Sequence, residues 1–439
     1  MQFVSQMNPR TTKRDAFWLF MIGCFSMTQL KLGAKIGISE AGCLLAMPFI
    51  FARDYVSYRR DGVSLYFKLA LFWIVGALFS DFYNHSFFEQ VIRGFSVPLL
   101  IFSVSVCIYH FLRRNPANLK WLLFGMAVSS VISIFVFQRG SAGDLAAEGD
   151  AAGAIEAVVG YKLFWANMAM TWLLLPVQAF YLQTPRLYVV VSMLAVAFIN
   201  ATVGGRSAFA VSMLAFLLVM IGGKNIATMR RIRRYLPGLV LLLIVFAFAI
   251  KGAYSFAATH GYLSEEETVK YQRQTAKGSD IKSLLIAGRG DFFIGLFAAL
   301  DKPLIGHGSQ AFDTYGYEEE YLERYGTDQE QLDYMKARAM GRLRTIRAHS
   351  HVICYWMWHG VAGLLFWVYV FYLVIQTVHK RMDLMPEWFG FLAIALSAFL
   401  WDYFFSPFGL RVTECTLFCA LLILVTMEKD RKRGLLPSL

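Results

Sequence analysis

The chain has 439 residues, of which 57% are hydrophobic, 16% aromatic and only 16% charged. Soluble chains run at about 45–50% apolar and about 25% charged, so the composition excludes a soluble globular enzyme and equally a disordered or fibrous protein. A formal charge of +12 would suit nucleic-acid binding, but the basic residues stand where membrane orientation requires them, and no nucleic-acid partner is expected.

Membrane-spanning helices need roughly 17–25 mainly apolar residues. Twelve segments meet that need, at 16–32, 36–52, 64–81, 88–111, 119–137, 161–182, 187–203, 207–223, 235–251, 351–378, 386–404 and 412–427. Glu40 and Lys68 interrupt the second and third. The first apolar run is followed directly by another, without a small-residue cleavage pattern, so no cleavable signal peptide is expected. The six cysteines all fall in apolar runs without metal-ligand spacing and read as small buried hydrophobes.

Lys and Arg in short loops decide orientation. With twelve spans, basic groups such as Arg10–Lys13–Arg14, Arg59–Arg60, Arg113–Arg114 and Lys429–Arg431–Lys432–Arg433 all fall on one side. That side collects twenty-one basic residues in its short loops against six opposite, which puts both termini in the cytoplasm. An odd span count destroys the agreement. The expected layout is nine spans in 1–251, a long outer loop over 252–350, three spans in 351–427 and a basic cytoplasmic tail over 428–439.

On the outer side, residues 138–158 are small, acidic and Gly-rich, as in a flexible connection or an acidic gate. The 252–350 segment is too long for a structureless loop and predicts short helices. One is the amphipathic run Asp291 to Leu300, stopped by Pro303, Gly306 and Gly308.

Three outer-side residues can carry chemistry. Arg206 follows Gly204 and Gly205, which allow a tight turn, and precedes Ser207, which can cap the next helix. A guanidinium beside a helix start suits an anion; an arginine snorkelling to headgroups fits the same residues. Arg289, flanked by Gly288 and Gly290, repeats the combination, with a surface salt bridge to Asp291 or Asp301 as the plainer reading. His349 ends the long loop, and an interfacial histidine there can act as a general base. His351, two residues on, cannot share a helical face with it and reads better as a structural histidine, as do His307 and His359. No HExxH accompanies the pair, so no metal site is expected. Glu40, Arg93 and Asp402 are ionisable groups inside apolar runs and candidates for a functional cavity. Asp402 could orient His349 or pair with an arginine. No GxxxxGK[ST] or DxD is present, which disfavours P-loop ATPases and nucleotide-sugar enzymes that use a metal.

Taken together, these features resemble the O-antigen ligase/polymerase superfamily of bacterial envelope glycosyltransferases. The resemblance rests on about a dozen spans with one long periplasmic loop, and on three short motifs. The first is Gly205-Arg206-Ser207. The second is Gly288-Arg289 opening an amphipathic helix that leads to Pro303-Leu304-Ile305-Gly306-His307-Gly308. The third is His349-Ser350 opening a span that continues to Gly360, with Ser where the family pattern has Asn. Length and the lack of a large extra soluble domain look most like the family's lipopolysaccharide ligases.

The resemblance implies an all-α, GT-C-like polytopic protein of the bacterial inner membrane. It implies transfer of a polymerised glycan from undecaprenyl diphosphate to lipid A–core at the periplasmic face, without a cofactor. In that reading Arg206 and Arg289 bind the diphosphate, His349 is the general base, and Asp402 and His351 are supporting residues. An O-antigen polymerase, a protein O-oligosaccharyltransferase and a lipid-linked glycan flippase are the alternatives.

Overall fold

The computed structural model describes residues 9–32, 34–135, 168–202, 206–229, 252, 256–257, 260–262, 290–325, 328–341, 344–405 and 411–435. These form an all-α membrane protein with one small β-hairpin. The helices are α1 (Pro9–Cys24), α2 (Ile38–Asp61), α3 (Ser64–Tyr83), α4 (Phe88–Arg114), α5 (Leu119–Phe135), α6 (Arg186–Thr202), α7 (Arg206–Gly222), α8 (Gly290–Asp301), α9 (Tyr317–Tyr325), α10 (Asp328–Ala339), α11 (His351–Lys380), α12 (Phe389–Phe405) and α13 (Arg411–Lys432). Among the described residues, four stretches are long and apolar enough to cross a membrane: Ser64–Tyr83, Phe88–Arg114, His351–Lys380 and Pro386–Phe405.

The expected first span differs. The helix stops at Cys24, and Gln29–Leu32 pairs antiparallel with Ala34–Gly37. The cause is legible afterwards. Leu30, Leu32, Ala34 and Ile36 alternate with polar or small residues at a strand's period of two, and Gly33 divides the runs. The sixth predicted span is also interrupted where described, by a π-helical turn at Ala169–Leu173 and then a short helix, Leu175–Ala179, carrying Pro176. The ninth predicted span and the 138–158 segment lie outside the described residues.

Small residues set the closest helix contacts. A Cβ on Gly76 of α3 would strike Ala362 of α11, and one on Gly125 of α5 would strike the Phe20 carbonyl of α1. In a lipid solvent such close approach drives association, because apolar surface alone favours neither helix nor lipid. Aromatic packing fills the core between α3, α11 and α13. Trp73 stacks on Phe366 at 4.8 Å, and Trp367 meets Phe418 edge-on at 6.0 Å. All six cysteines are buried and free.

Charges gather at the two ends of this bundle. At one end Arg113 (α4) meets Asp61 (α2) at 2.5 Å, Arg114 meets Asp15 (α1) at 3.2 Å, and Arg381 meets Glu428 (α13) at 2.6 Å. Lys429 also donates to the Arg60 carbonyl at 2.6 Å. The basic residues Arg60, Arg113, Arg114, Arg381 and Lys429, which share a side in the twelve-span count, therefore share one end of the bundle. At the opposite end, α8, α9 and the 344–350 segment pack on the first turns of α11 through Ile294, Ala298, Tyr321, Ile346, Ala348 and Met357.

A kink in α11 holds that loop layer. Gly360 has φ 60 and ψ −146, which breaks the helix and exposes carbonyls that would otherwise be bonded within it. His307 N donates to the Met357 carbonyl at 2.8 Å, Gly308 N to that of Trp358 at 3.1 Å, and Val361 N to that of Leu304 at 3.0 Å. Gly306, at φ 83, lies against the Trp358 carbonyl where a Cβ would collide. The Pro303-to-Gly308 run is thus the piece of chain that fits the broken helix.

His307 is buried among the same elements. Its Nε2 lies 2.9 Å from the Ala298 carbonyl, which fixes the neutral tautomer with the proton on Nε2. Burial pushes its pKa below the ordinary value, and the Ala298 bond opposes this only in part. A depressed histidine contributes stability that is present above its unfolded pKa of about 6.5 and is lost as pH falls through the folded value. Once the intrinsic pH dependence of exchange is divided out, amide protection in 304–309 should therefore fall between pH 7.5 and 5.5. His307→Asn should flatten that dependence; an unchanged profile in the variant would assign it to another group.

Candidate functional site

The loop end brings His349 and the start of α8 together. His349 Nδ1 lies 3.0 Å from Asp291 Oδ2, and Arg347 reaches the other oxygen of the same carboxylate at 3.7 Å. Arg347 also pairs with Glu318 of α9, and Arg344 Nη1 lies 3.0 Å from the same Glu318 oxygen. The result is a continuous ionic chain from Arg344 through Glu318, Arg347 and Asp291 to His349. Glu318 is buried, and the Arg344, Arg347 and His349 side chains are nearly half exposed.

Local sequence dictates this placement. Asp291 occupies the first turn of α8, where an acid is favoured by the helix dipole. Gly290 makes room for the Tyr321 ring, and Gly295 lets Ala348 lie directly on α8. The backbone just before His349 is therefore pressed against the helix that carries its partner. Ser350 then caps α11: its Oγ accepts from Ile353 N at 3.3 Å and donates to the Tyr403 carbonyl of α12 at 2.8 Å. Ser supplies the cap and the tie to α12 where the family pattern has an amide.

Asp291 is the residue that sequence reading missed in this role. The carboxylate on His349 Nδ1 comes from α8 and not from Asp402, which the sequence offers either for that place or for pairing with an arginine. From sequence alone, Asp291 and Asp301 are equally available as salt-bridge partners of Arg289. The available signal was an acid in the first turn of the helix that opens the second motif. Asp402 lies on α12, close enough for its charge to reach His351.

His351 faces away from His349, as the two-residue spacing predicts. It is buried, stacked on Trp367 at 4.6 Å, with Nε2 at 2.8 Å from Glu414 Oε1 of α13. Glu40 belongs to a second such pair, bidentate with Arg411 at 2.6 and 2.8 Å, and also caps Gly37 N at 2.6 Å. Removing one member of such a pair costs about 3–5 kcal/mol, because the other charge is left buried. Arg93 pairs with Glu89 one turn away on an exposed face of α4.

His359 belongs to a buried relay. Trp73 Nε1 donates to its Nδ1 at 2.9 Å, so the ring proton sits on Nε2, which faces Ser309 Oγ at 3.0 Å. Ser309 Oγ in turn donates to Asp81 Oδ2 at 2.8 Å, and Ser309 N donates to Oδ1 at 2.6 Å. Ser309 is fully buried, so the relay latches the loop to α3 and α11 and offers no accessible nucleophile.

The two arginines are less fully placed. Arg206 is the first residue of α7, so the helix starts one residue earlier than expected and Ser207 lies inside its first turn. The Arg206 side chain lies outside the described residues, as does Arg289 altogether. The chain nevertheless runs from position 289 directly into Gly290 and Asp291, beside His349. Among the described residues no group of three or more His, Cys, Asp or Glu has the arrangement of a metal site. No family model, curated protein or solved structure matches the chain.

Proposed function

We propose that this chain is a membrane-embedded glycosyltransferase of the O-antigen ligase type. It transfers a polymerised glycan from an undecaprenyl diphosphate carrier to lipid A–core at the outer face of the bacterial inner membrane. One observation carries the reading: His349, just before α11, has its Nδ1 on the carboxylate of Asp291 in the first turn of α8, the helix that follows Gly288-Arg289. A proton held on Nδ1 makes Nε2 the basic nitrogen, which is the orientation a general base needs.

In the reaction, Nε2 of His349 takes the proton of an acceptor hydroxyl. The oxygen attacks the anomeric carbon, the bond from that carbon to the diphosphate breaks, and undecaprenyl diphosphate leaves with the electron pair. Arg206 and Arg289 bind the diphosphate and stabilise the charge growing on it, the part a metal ion plays in other glycosyltransferases. Direct displacement inverts the donor linkage. Asp402 and His351 are supporting residues, and no cofactor is required.

Twelve spans, a periplasmic 252–350 loop and cytoplasmic termini complete the proposal. The gathering of Arg60, Arg113, Arg114, Arg381 and Lys429 at one end of the bundle supports it. A cysteine at Glu319, on α9, should react with an impermeant reagent added outside, and one at exposed Leu435 should not. The reverse pattern would place the site in the wrong compartment.

The decisive experiment offers purified protein a lipid-linked donor with lipid A–core and a second lipid-linked glycan together, with and without chelator. Glycan on lipid A–core, inverted at the anomeric carbon and formed equally with chelator, is the expected product. Chains lengthening on the carrier would make this a polymerase, and glycan on Ser or Thr a protein oligosaccharyltransferase. Translocation without transfer would make it a flippase.

A further inference from the structure

The exposed apolar stripe on α3 does not end with the helix. Phe72, Val75, Phe79 and Phe82 project at helical spacing, and Phe82 is 81% exposed. The stripe continues over the turn into α4 through Phe87 and Phe88, the latter 79% exposed. On a helix apolar enough to cross a bilayer, such a face meets lipid.

A stretch of the 252–350 segment is fastened to that same turn. Asn84 Nδ2 donates to the Gly306 carbonyl at 3.0 Å, Gln90 Nε2 donates to the Gln310 carbonyl at 2.8 Å, and Phe87 meets Phe312 edge-on at 6.3 Å. From this stretch Leu304 and Tyr315 project outward, 71% and 61% exposed. Lys302 lies 5.1 Å over the Tyr315 ring and donates to Asn84 Oδ1 at 3.2 Å. An aromatic ring with an ammonium beside it is the pairing that headgroup layers favour, with an apolar body toward the chains and a charge toward phosphate.

Height agrees. The 20 residues of α3 rise about 30 Å, the thickness of a bilayer's hydrocarbon core. Asn84 and the loop carbonyl it holds then fall at the boundary between chains and headgroups.

We propose that residues 302–315 and the α3–α4 turn form one interfacial anchor, seated among phospholipid headgroups and the uppermost acyl carbons. The α9 helix stands clear in water. The anchor is locked to the α11 kink by the Leu304, His307 and Gly308 backbone bonds and by the Ser309–Asp81 contacts, so it fixes the depth of α11. Ser80 Oγ donates to the Trp358 carbonyl at 2.7 Å, and His351 lies seven residues beyond Trp358, about 10 Å further from the membrane centre. His349 is thereby held above the acyl chains, at the level of the headgroups. The anchor would exist whether or not the chain transfers glycans.

The test uses the full chain in phospholipid nanodiscs with a nitroxide on a single introduced cysteine, the six native cysteines being buried. Phe88→Cys, Leu304→Cys and Tyr315→Cys are compared with Glu320→Cys on α9. Relaxation by oxygen relative to a water-soluble nickel chelate should be several-fold higher at 88, 304 and 315 than at 320. Leu300→Cys, 58% exposed one turn before Leu304, serves if the 304 variant does not fold. Ratios at 304 and 315 equal to that at 320 would overturn the anchor. So would protection from both reagents, which would mean that protein, a second copy or a partner, covers the surface.

Discussion

His349→Ala should slow glycan transfer by about 10²–10⁴-fold, the usual contribution of a positioned general base, and leave donor binding intact. The variant should fold, because His349 is about half exposed and the α11 cap and the α12 tie belong to Ser350. Asp291→Asn should give a smaller loss confined to kcat. The amide can present either an acceptor or a donor to Nδ1, and the wrong choice removes the basic character of Nε2. Asp291→Ala combined with His349→Ala should be no slower than His349→Ala alone, since residues acting as a unit are not additive. A multiplicative loss in the double variant would mean that Asp291 acts on the fold, through Arg347 and Glu318, rather than through the imidazole. His351→Ala should behave differently. It leaves Glu414 buried without its imidazole, so destabilisation is expected in place of a clean loss of turnover.

The parts of the fold that sequence made legible are those with one dominant physical signal. Ser64–Tyr83, in spite of Lys68, and His351–Lys380 are long apolar runs, and the helices fall where hydropathy puts them. The α8 helix was marked by its own amphipathic period and by Pro303 behind it. What escaped depended on weaker or competing signals. Residues 29–32 read as the end of the first span and 36–37 as the start of the second, because the neighbouring apolar residues outweigh a short strand alternation around Gly33. The Glu40–Arg411 pair joins positions 371 apart in sequence, and no local pattern announces such a partner. The same holds for Asp81, Ser309 and His359, brought together only after α3 and α11 have packed and α11 has broken at Gly360. His349 stood out because it ends a polar loop beside an apolar run. Its carboxylate did not, because a first-turn Asp is as well explained by the helix dipole as by a histidine partner.

Arg289→Ala should abolish most transfer, and Arg206→Ala should do the same, in each case with weakened binding of the lipid-linked donor. The two positions have different surroundings. Arg206 opens α7, where backbone N–H groups already favour an anion. Arg289 immediately precedes α8, whose first turn carries Asp291, so the diphosphate and the base would be registered by a single helix start. An acid two residues away also means that Arg289 must be held toward the ligand rather than toward Asp291. Arg347 and His349 already engage the two Asp291 oxygens. Lys at 289 or 206 should restore only part of the activity, since an ammonium cannot make the planar two-point contact of a guanidinium. Asp291→Asn should leave donor affinity unchanged if this division holds, and raise the donor KM if Asp291 instead positions Arg289. Full rescue by Lys at both positions would reduce the arginines to diffuse positive charge. A silent Ala at either would make that residue an interfacial arginine with its stem along the membrane surface.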